Sequence, residues 1–175
     1  MLTNDHVDRV RAQWARERPD LDTEPVAVIA RLGRAAHYVD QGHAEFFKRH
    51  GLSRADWDVL ASLRREGPPY TLSPTALYRA LMRTSGAMSQ RLARLEGEGL
   101  IERTLDPGDR RRIVVRLTDK GREVSDRIAA DHLANERELL APLSKKEQRA
   151  LAALLRKLLV AYEEEQSSAS DRGRT

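Results

Sequence analysis

Residues 71–121 read TLSPTALYRALMRTSGAMSQRLARLEGEGLIERTLDPGDRRRIVVRLTDKG, and this stretch decides the fold. Ser73 offers a hydroxyl to cap a helix whose first position is Pro74, where a missing N–H costs nothing and φ is already preset. That helix is predicted to reach Leu81. Met82 to Thr84 form a short connection, and a second helix runs to about Glu98 before Gly99, which is the helix-turn-helix order. Met88, Leu92 and Leu95 recur at helical spacing and define the inward side of this second helix. Gln90 and Arg94 then face outward, with Ser85, Ser89 and Arg91 near the exposed N-terminal end.

After Gly99 the hydrophobic period changes. Ile101 to Thr104 read as a short strand, and Ile113, Val115 and Leu117 alternate with Val114 and Arg116 in a second one. LDPGDRRR between them must turn: Asp-Pro-Gly-Asp has turn chemistry, and Arg110, Arg111 and Arg112 are carried out on its arm. A basic hairpin directly after a helix pair is a wing, suited to a minor groove while the preceding helix enters the major groove. An isolated arginine run is more commonly a solvated surface, but the order of elements here is far more restrictive. The charge distribution agrees. From Arg79 to Arg116 nine arginines face Glu96, Glu98, Glu102, Asp106 and Asp109, a net +4 that equals the formal charge of the whole chain. The remainder is neutral overall.

Working outward, Asn4 or Asp5 starts a first helix reaching Glu17, with Val7, Val10 and Trp14 on one face. Thr23 caps a long helix that ends near Arg49 before Gly51, carrying the coiled-coil-like seam Ile29, Leu32, Ala36, Val39, His43 and Phe46. Ser53 with Asp56 opens the next helix as a capping-box variant, and the loop EGPPY leads into the central stretch. Beyond it, Thr118 caps a helix to about Leu140. Ser144 with Glu147 is a capping box for a last helix striped by Leu151, Leu154, Leu155, Leu158, Leu159 and Tyr162. The fold class is therefore mainly α with a small β wing. N-terminal helices for dimerisation, to which the family resemblance described below adds a ligand pocket, occupy 1–50, a winged helix-turn-helix 51–121, C-terminal dimerisation helices 122–165, and an expected disordered tail 166–175.

Several function classes fall away. The 175 residues contain no cysteine, hence no disulfide or thiol chemistry. No apolar run approaches the ~18 residues of a membrane span, and MLTNDHVDRV lacks a signal-peptide core, so the expectation is a cytoplasmic protein. No phosphate loop, nucleophile motif or metal-ligand spacing is present, so neither an enzyme nor a cofactor is expected. His37, Asp40 and His43 do not form a metal set, because the two histidines point to different helix faces. Apolar faces on both sides of the DNA-reading unit imply a homodimer, which presents two reading helices to half-sites ~10 bp apart on a palindromic operator in double-stranded DNA.

The segment RLARLEGEGLIERTLDPGDRRRIVVRLTDKG resembles the recognition helix, wing and LT-x-KG pattern of the MarR family of winged-helix regulators, and the likeness extends over nearly the whole chain. It implies a repressor, with Asp109 bracing the wing through an arginine such as Arg111 and with Arg110 and Arg111 at the tip. A narrower likeness is to the urate-responsive, HucR/PecS-like branch, which has a tryptophan on an extra N-terminal helix, an aspartate and an arginine seven residues apart, and an arginine leading into the wing. The matching residues are Trp14, Asp58, Arg65 and Arg103. That resemblance implies a small anionic effector such as urate, or another small acid such as citrate. Asp58 and Arg65 lie ~10.5 Å apart along one helix and within ~20° of the same face. Arginine can hold a planar anion through paired donors, and tryptophan offers a stacking surface. The competing expectation is a constitutive or architectural DNA-binding protein with no effector.

Overall fold

A computed structural model describes residues 4–81, 85–106 and 108–172, except for the side chains of Ser85, Ala87 and residues 167–172. The chain forms two compact units, residues 1–135 and 136–175. The first holds α1 (His6–Glu17), α2 (Glu24–Arg49), α3 (Arg54–Arg65), β1 (Thr71–Leu72), α4 (Pro74–Leu81), α5 (Ser85–Gly97), β2 (Ile101–Leu105) and β3 (Ile113–Leu117). The division falls within α6 (Asp119–Leu139), and α7 (Lys145–Arg172) belongs to the second unit. This is the expected mainly α architecture with a small β wing. The expected connection Met82–Thr84 lies outside the described residues.

Most helix starts are where side-chain chemistry puts them. Asp5 and Asp8 form a reciprocal capping box at α1, with bonds of 2.9 and 3.0 Å. Ser73 Oγ accepts from the Ala76 N–H at 3.1 Å, and Thr118 Oγ1 accepts from the Gly121 N–H at 3.0 Å. Ser144 and Glu147 close the box at α7. Thr23 departs from expectation: it stands at the N-cap of α2 without a side-chain cap bond, because its ψ of 9° is not the extended cap conformation. Asp22 Oδ1 takes the Glu24 N–H instead, at 2.9 Å. Gly51 and Gly99 end α2 and α5 at φ of +71° and +69°, where a Cβ would be strained.

The sheet is antiparallel with order β1-β3-β2, pairing Ile101 with Leu117 and Leu105 with Ile113. β1 was not legible as a strand. Its two residues pair Thr71 with Arg116 and Leu72 with Val115, on the outer edge of β3. The simple alternation expected of β3 also fails at one end: Val114, Val115 and Leu117 are buried while Ile113 is exposed. Ile113 and its partner Leu105 sit at the distal end of the hairpin, where both stay in solvent.

The core of the first unit joins Phe47 of α2, Leu60 and Leu63 of α3, Leu77 of α4, Met88, Leu92 and Leu95 of α5, Ile101 and Val115 of the sheet and Ile128 of α6. The inward face of α5 is thus the predicted one, at 2% exposure or less. His43 and His132 pack edge-on, 5.2 Å between ring centroids, beside Phe46, Phe47 and Trp57. α1 is fastened to α2 by Arg31, which binds both Asp5 (2.8 Å) and Asp8 (2.6 Å). Hydrogen bonds from the Asp8 N–H and then the Arg31 side chain lower the Asp5 carboxyl to a pKa of about 2.

On α7 the predicted apolar stripe is in place but open, with Leu154 at 65% and Leu159 at 54% exposure. The helix continues to Arg172, past Gln166, where the sequence pattern alone ends it. No proline or glycine interrupts residues 166–172, and each added helical residue gains a hydrogen bond without a new nucleation cost. Residues 173–175 lie outside the described residues. No described helix is long and apolar enough to cross a membrane.

Candidate nucleic-acid interface

The outward face of α5 carries Ser89, Gln90 and Arg94 exposed and Arg91 half-buried. The side chain of Ser85 lies outside the described residues. Behind this face sits Asp56, the N3 residue of α3, only 1% exposed. Its Oδ2 accepts from the Ser53 N–H at 2.7 Å and from Ser53 Oγ, and it forms a close ion pair with Arg94 Nη2. Its Oδ1 faces Arg91 Nε at 3.8 Å. Arg94 Nη1 meanwhile donates to Glu98 at 2.8 Å. Burial pushes the Asp56 carboxyl up, but the bonds from Ser53 and Arg94 outweigh it and leave the group below the usual carboxylate range. The same pairing raises Arg94. An open cleft lined by Ser53, Asp56, Gln90, Arg91 and Arg94 results. The outward position expected of Arg94 is therefore met, but its guanidinium is already engaged.

The wing turn is closed by backbone bonds from Asp106 N to Arg112 O (2.8 Å) and from Arg112 N to Asp109 O (2.9 Å). Asp106 Oδ1 also accepts from the Gly108 N–H at 2.8 Å. Arg110, Arg111 and Arg112 are all exposed. The expected brace between Asp109 and a wing arginine is formed, but by Arg112 and not by Arg111. Asp109 pairs with Arg112 at 3.3 Å and takes only the backbone N–H of Arg111, at 3.1 Å. The turn places residue i+3, not i+2, over the carboxylate.

Of the four residues matched to an effector site, Asp58 and Arg65 share α3, Trp14 is on α1 and Arg103 is on β2. Asp58 is half-buried, Arg65 is exposed and donates to Ser62 Oγ at 3.2 Å, and Trp14 is 46% exposed. Arg103 is tied to α5: its guanidinium meets Glu96 Oε2 at 2.6 and 2.9 Å, and its N–H meets Glu96 Oε1 at 3.1 Å. The Arg103 bond pulls the Glu96 carboxyl below its ordinary range. Neither described cleft is lined by any of these four side chains. Sequence reasoning missed both Glu96 and Asp56 as part of this surface. Asp56 was legible only as a cap residue, since its arginine partners lie more than thirty residues away along the chain.

The helix pair, the glycine-broken joint and the first strand and turn of the wing match the MarR family over residues 50–112. Over a longer span that includes most of the chain, it is 41% identical over 149 residues to the HTH-type transcriptional regulator PecS of Dickeya dadantii (strain 3937), covering 85% of this chain and 90% of that one. The chain belongs to the MarR family. It is a DNA-binding transcriptional regulator with a winged helix-turn-helix, and MarR-family regulators are not catalysts. Two solved structures extend the likeness. The Streptomyces coelicolor regulator Sco3205, solved in complex with DNA, superposes with a TM-score of 0.71 at 28% identity, covering 79% of this chain and 88% of that one. BpsR of Bordetella bronchiseptica gives 0.66 at 25% identity over 75% and 91%.

Proposed function

We propose that this MarR-family chain is a homodimeric repressor that holds a palindromic operator and is released from it by a small anionic ligand, urate or a similar acid. In this reading Ser85, Ser89, Gln90 and Arg91 of α5 enter the major groove, and Arg110, Arg111 and Arg112 of the wing lie along the minor groove. Dimerisation is supported in each unit separately by open apolar side chains: Ile29 (58% exposed) and Leu32 (40%) on α2, and Leu154 and Leu159 on α7. At ~25 cal/mol per Å² of apolar area, covering such faces stabilises a pair of chains by several kcal/mol.

The observation that carries the effector reading is the Arg103–Glu96 pair. A single arginine holds the first wing strand to the reading helix through three hydrogen bonds. An anion near Asp58 and Arg65 repels the Asp58 carboxylate and competes for Arg103, which frees Glu96 and lets α5 shift relative to β2. The likeness to PecS favours this branch. In BpsR, DNA binding is regulated by 6-hydroxynicotinic acid, a small organic acid of the same general kind.

The test is operator binding by fluorescence anisotropy, using DNA flanking the gene, with urate, xanthine, citrate and phenolic acids titrated in. At least one acid is expected to weaken binding ten-fold or more, and Arg103→Ala should abolish that response in a folded protein. Unaltered release by the acid in Arg103→Ala removes the route through Arg103. No response to any acid favours the alternative, a constitutive or architectural DNA-binding protein.

A further inference from the structure

We propose that Asp56 is a positioning residue that sets the selectivity of the reading helix: a buried carboxylate on α3 that pairs with Arg94 and faces Arg91 of α5 and keeps both from indiscriminate phosphate contact. The inference rests on the reading of α5 as the groove-reading element. Its basis is a carboxylate that does more than a cap requires. The capping box at α7 works with an exposed acid, Glu147, and the one at α1 with Asp8, which is itself only partly covered. Asp56 performs the same capping at 1% exposure and in addition faces two guanidinium groups from another helix.

A charge placed that deep is stable only with opposite charge beside it, so its burial and the position of the two arginines depend on each other. Arg94 is clamped from two sides, by Asp56 and by Glu98, which fixes its rotamer and with it the roll of α5 over α3. Gln90 lines the same cleft, and the direction in which it presents its amide follows from that roll. The consequence is electrostatic as well as geometric. Free arginines on a reading helix bind any duplex through phosphate, and each such contact steepens the fall of affinity with salt. Paired with Asp56, these two contribute position without adding that unselective attraction.

The experiment measures binding of the full chain to its operator duplex and to a scrambled duplex across a KCl series, with thermal unfolding recorded alongside. Asp56→Asn, which keeps an acceptor for the Ser53 N–H, is expected to bind the scrambled duplex several-fold tighter. The operator-to-scrambled ratio should fall at least ten-fold, and the salt slope should steepen by about 1 for each arginine released. Asp56→Asn combined with Arg94→Gln should bring the slope back by about 2, one for each protomer of the dimer. Arg94→Gln alone leaves the α3 cap intact and so reports even if Asp56→Asn folds poorly. It should lower the ratio while the slope stays at the wild-type value, because Arg94 is held by carboxylate and not by phosphate. A folded Asp56→Asn with wild-type ratio and slope overturns the proposal. So does an Arg94→Gln whose slope is shallower by about 2. If the wild-type chain makes no distinction between the duplexes, or Gln90→Ala leaves the ratio unchanged, the reader itself is misassigned and the role of Asp56 falls with it.

Discussion

Gly121 closes the motif LTDKG at the start of α6, and replacing it with alanine is the most direct perturbation of the joint between reading helix and wing. A Cβ built on Gly121 would lie 1.9 Å from the carbonyl oxygen of Leu100, a backbone atom that cannot rotate aside. Relieving that overlap requires α6 and the α5–β2 junction to part by roughly 1 Å, a backbone shift of the kind that costs about 1–3 kcal/mol when a packed site is overfilled. The shift also stretches three bonds that cross the joint: Thr118 N to Leu100 O (3.2 Å), Thr118 Oγ1 to Gly99 O (2.7 Å) and Lys120 Nζ to Glu98 O (2.7 Å). Each is worth about 1 kcal/mol net. Against this, alanine gains up to about 1 kcal/mol of helix propensity over glycine. The balance is a loss of about 2–4 kcal/mol. For a chain of this size it lowers the melting temperature by roughly 4–16 °C, at about 2–4 °C per kcal/mol. Circular dichroism melts of wild type and Gly121→Ala measure it. A variant as stable as wild type, or more so, would show that the close approach is not obligatory and that propensity governs the position.

Two further outcomes follow from the charges. Replacing Arg110 and Arg111 together by alanine removes two exposed cations from each wing arm, four in the proposed dimer, and the slope of log affinity against log salt should become shallower by about 4 with selectivity largely kept; an unchanged slope would take the wing tip off the phosphate backbone. Asp5, with its carboxyl lowered to about 2, stabilises the folded state through the Asp8 N–H and Arg31 at any pH above the ordinary aspartate range. That contribution is expected to fade as pH falls from about 4 to about 2, because the unfolded chain then binds the proton first. Asp5→Asn should flatten this part of the acid stability profile. A carboxyl resonance of Asp5 titrating near 4 would refute the assignment.

The helix starts were readable because a cap is a local transaction between a side chain and a backbone N–H two or three residues on, and Asp5, Ser53, Ser73, Thr118 and Ser144 all stand where that chemistry places them. The inward face of α5 was readable for the same reason, since Met88, Leu92 and Leu95 keep helical spacing. What escaped is what depends on partners distant in the chain. β1 is too short to show alternation and exists only because β3 presents an edge to it. Asp109 chose Arg112 over Arg111 by the closure of one turn. Pairs such as Asp56 with Arg94 and Arg103 with Glu96 leave no periodic trace, because an ion pair between elements constrains two positions and nothing between them. By itself, the order of residues determined the elements, their buried sides and where positive charge gathers, all properties of short-range geometry. Only tertiary packing decided which of the gathered arginines stay open to DNA and which are already held by a carboxylate, because an ionised group buried in the fold must find its counter-charge wherever the chain brings one near.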